Sequence, residues 1–238
     1  MIRHDGLAVE WLGYATLKLV GDGVTVYCDP GRYGVLDGHD PRDGDVVCIT
    51  HDHHYDPDGI RRVAKPDATV VLFEGINTHR IDRDVARPAD LDYEVRTVSQ
   101  EADVAVGDAI VRTVPAYNDP DGPHTREDGE PVHPEGLGCG FHLTLPSAWG
   151  RDVRVFWPGD TDVLEGHEHL DVSLFCPPIG GSFTMDRHEA AALAEAMDPD
   201  LVVPIHYDTF EALETDAEAF AADVASRGVP VVLDTPDA

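Results

Sequence analysis

The apolar run Val46-Val47-Cys48-Ile49 passes directly into Thr50-His51-Asp52-His53-His54-Tyr55-Asp56, so the fold must carry a buried strand to a loop crowded with imidazoles and carboxylates. In an extended segment alternate side chains share a face, and His51 and His53 can therefore turn toward one cation. Neutral imidazole nitrogens suit zinc, and iron or manganese less selectively. Acidic surface loops also gather histidines by chance, so a lone H-x-H pair needs further ligands. They stand at the ends of other elements: His133 in a long loop, Asp160 directly after the strand Val153–Trp157, and His206 directly after the strand Leu201–Ile205.

Around that segment the pattern alternates. Ala8–Leu12, Thr16–Val20 and Val24–Cys28 read as a meander with turns at Gly13 and Gly21-Asp22-Gly23. Pro57–Ala64 reads as a short helix and Thr69–Phe73 as a buried strand. Further strands are expected at Glu94–Val98, Val104–Val106, Ala109–Val114, Gly140–Leu145, Val172–Phe175 and Val229–Leu233. Asp186-Arg187-His188-Glu189 has the form of a capping box before a helix to about Met197, and Thr215-Asp216-Ala217-Glu218 opens a second that ends near Gly228. Pro115–Gly138 has little periodicity and reads as a functional loop or a disordered insertion. The class is α/β, with two sheets face to face and helices outside, in one domain over residues 1–238.

Charge excludes some partners. Seventeen basic residues against forty-six acidic ones give a net charge of −29, which opposes binding to nucleic acid or to an anionic membrane. Arginine greatly outnumbers lysine, which occurs only at Lys18 and Lys65, and aspartate crowds stretches such as Asp82–Asp92. This composition fits a high-salt solvent, where a Debye length of roughly 3 Å at 1 M salt quiets self-repulsion. Cys28, Cys48, Cys139 and Cys176 lie far apart with no C-x-x-C pair and are expected to be buried free thiols. No apolar run approaches membrane-spanning length, and the N-terminus leads into a strand pattern; the expectation is a cytoplasmic, soluble protein, with self-association as a homo-oligomer left open.

Six segments, taken in order, resemble a known superfamily: Thr50-His51-Asp52-His53, Val114-Pro115-Ala116-Tyr117-Asn118, His133-Pro134-Glu135-Gly136, Gly159-Asp160-Thr161-Asp162, Gly180-Gly181-Ser182-Phe183-Thr184-Met185-Asp186 and Pro204-Ile205-His206-Tyr207. Their order is similar to that of the metallo-β-lactamase fold, and within it to metal-dependent hydrolases of the ascorbate-6-phosphate lactonase type. The resemblance implies a four-layer αββα sandwich. It also implies that His51, His53 and His133 hold a first metal, that Asp160 bridges two metals, and that His206 holds the second.

One departure stands out. The family pattern H-x-H-x-D-H is here His51-x-His53-x-Tyr55-Asp56. A phenol with a pKa near 10 is a poor ligand at neutral pH, so Asp56 is preferred to Tyr55. Asp56, Asp160 and His206 would then form a nitrogen-poor second site that binds zinc weakly or accepts manganese or iron. His54 becomes the ligand if the loop shifts register, although strand alternation favours a solvent-facing or supporting role. Asp29 either orients a ligand or forms a turn, Tyr117 and Asn118 shape the loop beneath the site, and His167 and His169 are expected on an exposed turn. His4, His39, His79, His124, His142 and His188 receive no ligand role, although the loop carrying His124 can close over the site.

With one or two zinc ions the expected chemistry is hydrolysis of a small-molecule ester, lactone or phosphodiester by activated water, with Asp56 and Asp160 as catalytic carboxylates and Asp52 as a further candidate acid. No G-x-S-x-G motif suggests a serine nucleophile. The alternatives are an iron-dependent redox protein on the same fold and a non-catalytic metal-binding protein.

Overall fold

The computed structural model describes residues 1–235. Seven strands follow in chain order across the first sheet: β1 (Ile2–His4), β2 (Leu7–Gly13), β3 (Thr16–Val20), β4 (Thr25–Cys28), β5 (Gly44–Ile49), β6 (Ala64–Phe73) and β7 (Glu94–Val98). The first four pair antiparallel, as tight turns require, and the pairs from β4 to β7 are parallel. Helix α1 (Pro57–Val63) lies between β5 and β6.

The second sheet holds β8 (Asp103–Val106), β9 (Ala109–Ala116), β10 (Gly138–Pro146), β11 (Asp152–Trp157), β12 (Leu174–Phe175) and β13 (Leu201–Val202), in the reverse order β13 to β8. Strands β8 to β11 are antiparallel, and β11, β12 and β13 are parallel. Helices α2 (Arg187–Met197) and α3 (Ala217–Ser226) complete the chain. The capping box at Asp186 is formed: its carboxylate accepts from the His188 and Glu189 amides, and Glu189 reaches back to the Asp186 N–H.

Alternate residues of both sheets meet in one apolar core that includes Leu17, Val26, Cys48, Phe141, Val155 and Trp157, and the inward faces of α2 and α3 join it through Ala190, Ala194, Phe220 and Val224. The outer face of the first sheet has its own cluster, in which Val47, Ile49, Val70 and Leu72 pack with Ile60 and Val63 of α1. Fully burying one such side chain contributes about 1.5–3 kcal/mol. The order of layers is the αββα sandwich expected from the sequence.

Some elements differ from expectation. Residues 229–233 make one bridge, Val202 to Val231, in place of a strand, because Pro230 lacks the donor that a ladder needs. Strand β13 stops at Val202, just before Pro204, rather than at Ile205. Strand β1 was not foreseen. Among the described residues, no helix is long and apolar enough to cross a membrane, and the four cysteines are buried and free.

This topology puts several strand ends on one edge. Strands β4 and β5 run parallel, as do β11, β12 and β13, and β9 shares the direction of β11 because both are antiparallel to β10. The carboxyl ends of β5, β11 and β13 deliver residues 51–54, 160 and 206, and the loop leaving β9 delivers His133. Crevices at carboxyl strand ends are where open α/β sheets bind ligands.

Candidate metal centre

After β5 the chain does not stay extended. The His54 amide donates to the His51 carbonyl at 3.2 Å and the Tyr55 amide to the Asp52 carbonyl at 3.2 Å, so the loop curls. Residues three apart then share a side, as on a helical turn. His51 and His54 come together with ring centroids 4.3 Å apart, and His53 stays within 5.0 Å of His51.

Asp160 lies at the centre. Its Oδ2 is 3.6 Å from His51 Nε2 and 3.4 Å from His133 Nε2, while its Oδ1 is 3.5 Å from His54 Nε2 and 3.4 Å from His206 Nε2. His53 Nδ1 is 3.1 Å from His133 Nε2. Donor atoms about 2.0–2.1 Å from a tetrahedral zinc lie roughly 3.3–3.4 Å from one another, close to these separations. The Nε2 atoms of His51, His54 and His206 and Oδ1 of Asp160 are buried without a hydrogen-bond partner. Converging orphaned acceptors of this kind are costly unless a cation sits among them. The donor set thus fits two adjoining sites, one of His51, His53, His133 and Asp160, the other of His54, His206 and Asp160.

A layer of partners behind the rings sets their tautomers. The Thr50 hydroxyl donates to Asp29 Oδ2 at 2.9 Å and lies 2.9 Å from His51 Nδ1 and 3.1 Å from His54 Nδ1, so its lone pairs accept Nδ1–H groups and Nε2 is left free. Asp29 also takes the Thr50 amide at 2.8 Å and the Trp157 indole N–H at 2.7 Å, and its Oδ2 is 3.0 Å from His54 Nδ1. His133 Nδ1 faces two acceptors, Asn118 Oδ1 and the Phe183 carbonyl, both at 3.1 Å. Asn118 donates in turn to Asp162, on which His124 Nδ1 sits at 2.6 Å.

Burial, and then the neighbouring imidazoles, push His51 and His206 well down and His133 to about 3. His53 opens to solvent on one side, yet its enclosure and then His54 hold it at about 4. Burial alone would lower His54, but Asp160 and Asp29 outweigh it and raise it. Burial lifts Asp160 to about 6, with His54 opposing and Asp29 reinforcing. The imidazoles of His51, His53, His133 and His206 are therefore neutral near pH 7, the form that binds metals, whereas Asp160 and Asp29 favour the protonated form of His54.

Asp56 is the correction. Its carboxylate caps α1, taking the Asp58 and Gly59 amides at 3.1 and 3.2 Å on Oδ1 and the Arg32 amide at 2.8 Å on Oδ2. A residue just ahead of Pro57 is where a cap belongs. The curled loop brings His54, and not Asp56, to Asp160 and His206, so the donors gathered there are richer in nitrogen than expected. Tyr55 is buried and donates to the Ala86 carbonyl at 2.9 Å. Asp52 is tied to the Asn77 amide and Arg80 Nε, both at 2.6 Å. His167 is buried against the Pro115 carbonyl rather than exposed, whereas His169 is exposed.

Of the Pro115–Gly138 stretch, the ends belong to β9 and β10, and residues 117–137 form an ordered loop held by the Thr125–Pro131 bridge and by Asn118, whose backbone amide donates to the His133 carbonyl at 2.8 Å. Beside the cluster is a cavity of about 290 Å³ lined by Tyr14, Arg32, Tyr33, Val132, Phe183 and Phe210 together with His53, His133, Asp160 and His206. Tyr14, Arg32, Tyr33 and Phe210 were not anticipated. They sit in turns without periodicity, and the one local signal was the glycines beside Tyr14, Arg32 and Tyr33. Tyr14, Asp29, Arg32, Tyr33 and His206 all have φ between +46° and +65°. Such strain in non-glycine residues, of order 1 kcal/mol or more each, gathers at functional sites.

Residues 8–206 match the model of a family described as the beta-lactamase superfamily domain. A protein named UPF0173 metal-dependent hydrolase, from Methanopyrus kandleri, is 28% identical over 233 residues and aligns over 94% of each chain. Among solved structures, Igni18, a metallo hydrolase of Ignicoccus hospitalis, superposes with a TM-score of 0.71 at 21% identity, over 97% of this chain and 95% of that one. CmlA, a diiron β-hydroxylase of Streptomyces venezuelae, gives 0.63 at 16% identity, over 99% of this chain and 54% of that one. These two structural likenesses show the fold.

Proposed function

Because the chain belongs to the beta-lactamase superfamily and has the metallo-β-lactamase fold, we propose that it is a metal-dependent hydrolase acting on a small-molecule ester, lactone or phosphodiester. The observation that carries the reading is Asp160, each of whose oxygens faces two imidazole nitrogens at 3.4–3.6 Å. His51, His53 and His133 would hold one ion, His54 and His206 the other, and Asp160 both. Nitrogen-rich donors favour zinc. When bound, such ions supply Lewis acidity and lower the pKa of water toward neutrality.

The chain's own residues do the rest. Thr50, Asp29 and Asn118 hold the rings in fixed tautomers, so the donor set needs little rearrangement. Tyr14 keeps its proton, since burial and then Asp160 raise its phenol well above the usual range. It is thus a hydrogen-bond donor on the cavity wall, suited to charge developing on a substrate oxygen. Phe183 and Phe210 exclude water from part of the cavity.

His51→Ala and His206→Ala should each lose metal and turnover of 4-nitrophenyl acetate or bis-(4-nitrophenyl) phosphate. Full metal content with full activity in both variants would overturn the proposal. Iron and oxygen chemistry is the second reading, favoured by the shared fold of the diiron hydroxylase CmlA; iron in the isolated protein, with oxygen uptake, would select it. We also assign the chain to the ascorbate-6-phosphate lactonase-like branch, on the ordered motifs, and to a high-salt cytoplasm, on its net charge of −29.

A further inference from the structure

In so acidic a chain a cation without a carboxylate partner is conspicuous. Both lysines and most arginines are ion-paired: Lys18 with Asp43, Lys65 with Asp45, Arg80 with Asp52, Arg112 with Asp103, Arg227 with Glu195. Arg32 has no such pair among the described residues, although it lines the cavity beside the metal centre. Its Nε is buried with no hydrogen-bond partner. Its guanidinium carbon lies 4.8 Å from the centre of the Tyr33 ring, and its one side-chain hydrogen bond among the described residues is a long one, 3.5 Å from Nη2 to Tyr33 Oη. A guanidinium presents a fork of donors matched to carboxylate or phosphate oxygens, and here the fork is unused.

The rest of the wall is apolar and aromatic. Tyr33 packs edge-on against Tyr14 at 4.7 Å and at a tilt of 42° against Phe210 at 4.8 Å, with Phe183 and Val132 completing the wall. A volume of about 290 Å³ is at the small end of the roughly 300–1,000 Å³ of ligand pockets. We propose that Arg32 is a specificity-determining residue that anchors an anionic oxygen group, carboxylate or phosphonate-like, on a small substrate whose apolar body packs against Tyr14, Tyr33 and Phe210. This rests on the hydrolase reading for the reacting end of the substrate, not for the anionic end. Arg32 is the one arginine or lysine among the residues that line the cavity.

Arg32 has φ +65°, so Arg32→Asn, which tolerates that backbone, is the informative variant, and Arg32→Lys retains the charge. On the metal-replete protein, calorimetry gives Kd for 4-phenylbutyrate, 3-phenylpropylphosphonate and the neutral 4-phenylbutanol. In parallel, kcat/KM is measured for mono-(4-nitrophenyl) glutarate and 4-nitrophenyl pentanoate, which differ by a terminal carboxylate. At least one anion should bind ten-fold or more tighter than the alcohol, and the tighter anion identifies the group. In Arg32→Asn both the binding ratio and the kcat/KM ratio of anionic to neutral ligand should fall at least ten-fold, and in Arg32→Lys each should stay within about three-fold of wild type. Ratios that survive in Arg32→Asn, or the absence of any anion preference in wild type, overturn the assignment. An Arg32-dependent preference without turnover of either ester would instead sink the hydrolase reading and leave the anchor standing.

Discussion

Asp29→Asn is the most searching single change, because one carboxylate ties β4 to the Thr50 amide and hydroxyl, the Trp157 indole and His54. Asparagine tolerates the left-handed backbone at φ +46°, so the change is confined to the side chain. If its oxygen keeps the Thr50 amide, its NH₂ group faces the Trp157 N–H and the Thr50 hydroxyl, donor against donor, and His54 Nδ1–H loses the carboxylate beside it. Two buried donors left unpaired cost about 1–3 kcal/mol each. At about 2–4 °C per kcal/mol for a chain of this size, the melting temperature of chelated protein should fall by roughly 5–20 °C. His54 loses the carboxylate that, together with Thr50, fixes its tautomer, so metal per chain should drop by one ion while the site of His51, His53 and His133 stays filled. Scanning calorimetry and elemental analysis on the same preparation read both effects. A melting temperature within about 1 °C of wild type, with metal content unchanged, would show that the Asp29 contacts do not organise the second site.

Asp56→Ala should remove a helix cap worth about 0.5–2 kcal/mol, lower the melting temperature by a few degrees and leave metal content unchanged; loss of an ion would return Asp56 to the ligand set. The chelated protein should also melt at least about 5 °C lower at pH 5 than at pH 7. His133 is held at about 3, and His51 and His206 well below 6.5, so between those values and 6.5 the unfolded chain binds protons that the folded chain does not, and stability falls as pH falls. Asp160, raised to about 6, works oppositely between 3.8 and 6, and the raised His54 does so above 6.5, but the lowered imidazoles outnumber them. Higher stability at pH 5 would reverse that balance.

Much of the fold could be read locally. The apolar run before Thr50, the glycine turns between the early strands and the Asp186 capping box each encode their element within a few residues, and each formed where expected. Strand β13 stops ahead of Pro204, which cannot donate to a ladder, and β12 keeps only Leu174–Phe175 of the expected Val172–Phe175. Of the cluster, His51, His53, Asp160 and His206 were visible as histidine or aspartate at strand ends, and His133 as a histidine in the long loop.

The sequence by itself determined which donor atoms are available and which strand ends carry them, because strand pattern and residue chemistry are local properties. Tertiary structure alone decided that His54 and not Asp56 faces the cluster: two turn hydrogen bonds curl the loop, and Asp29, fixed from another sheet position by Trp157, receives His54. It alone decided that Tyr14 and Arg32 line the same cavity as Phe210, since these residues have no sequence relation except through the packing of two sheets. Contacts between distant segments are set by the global minimum of packing and hydrogen bonding, which no local pattern encodes.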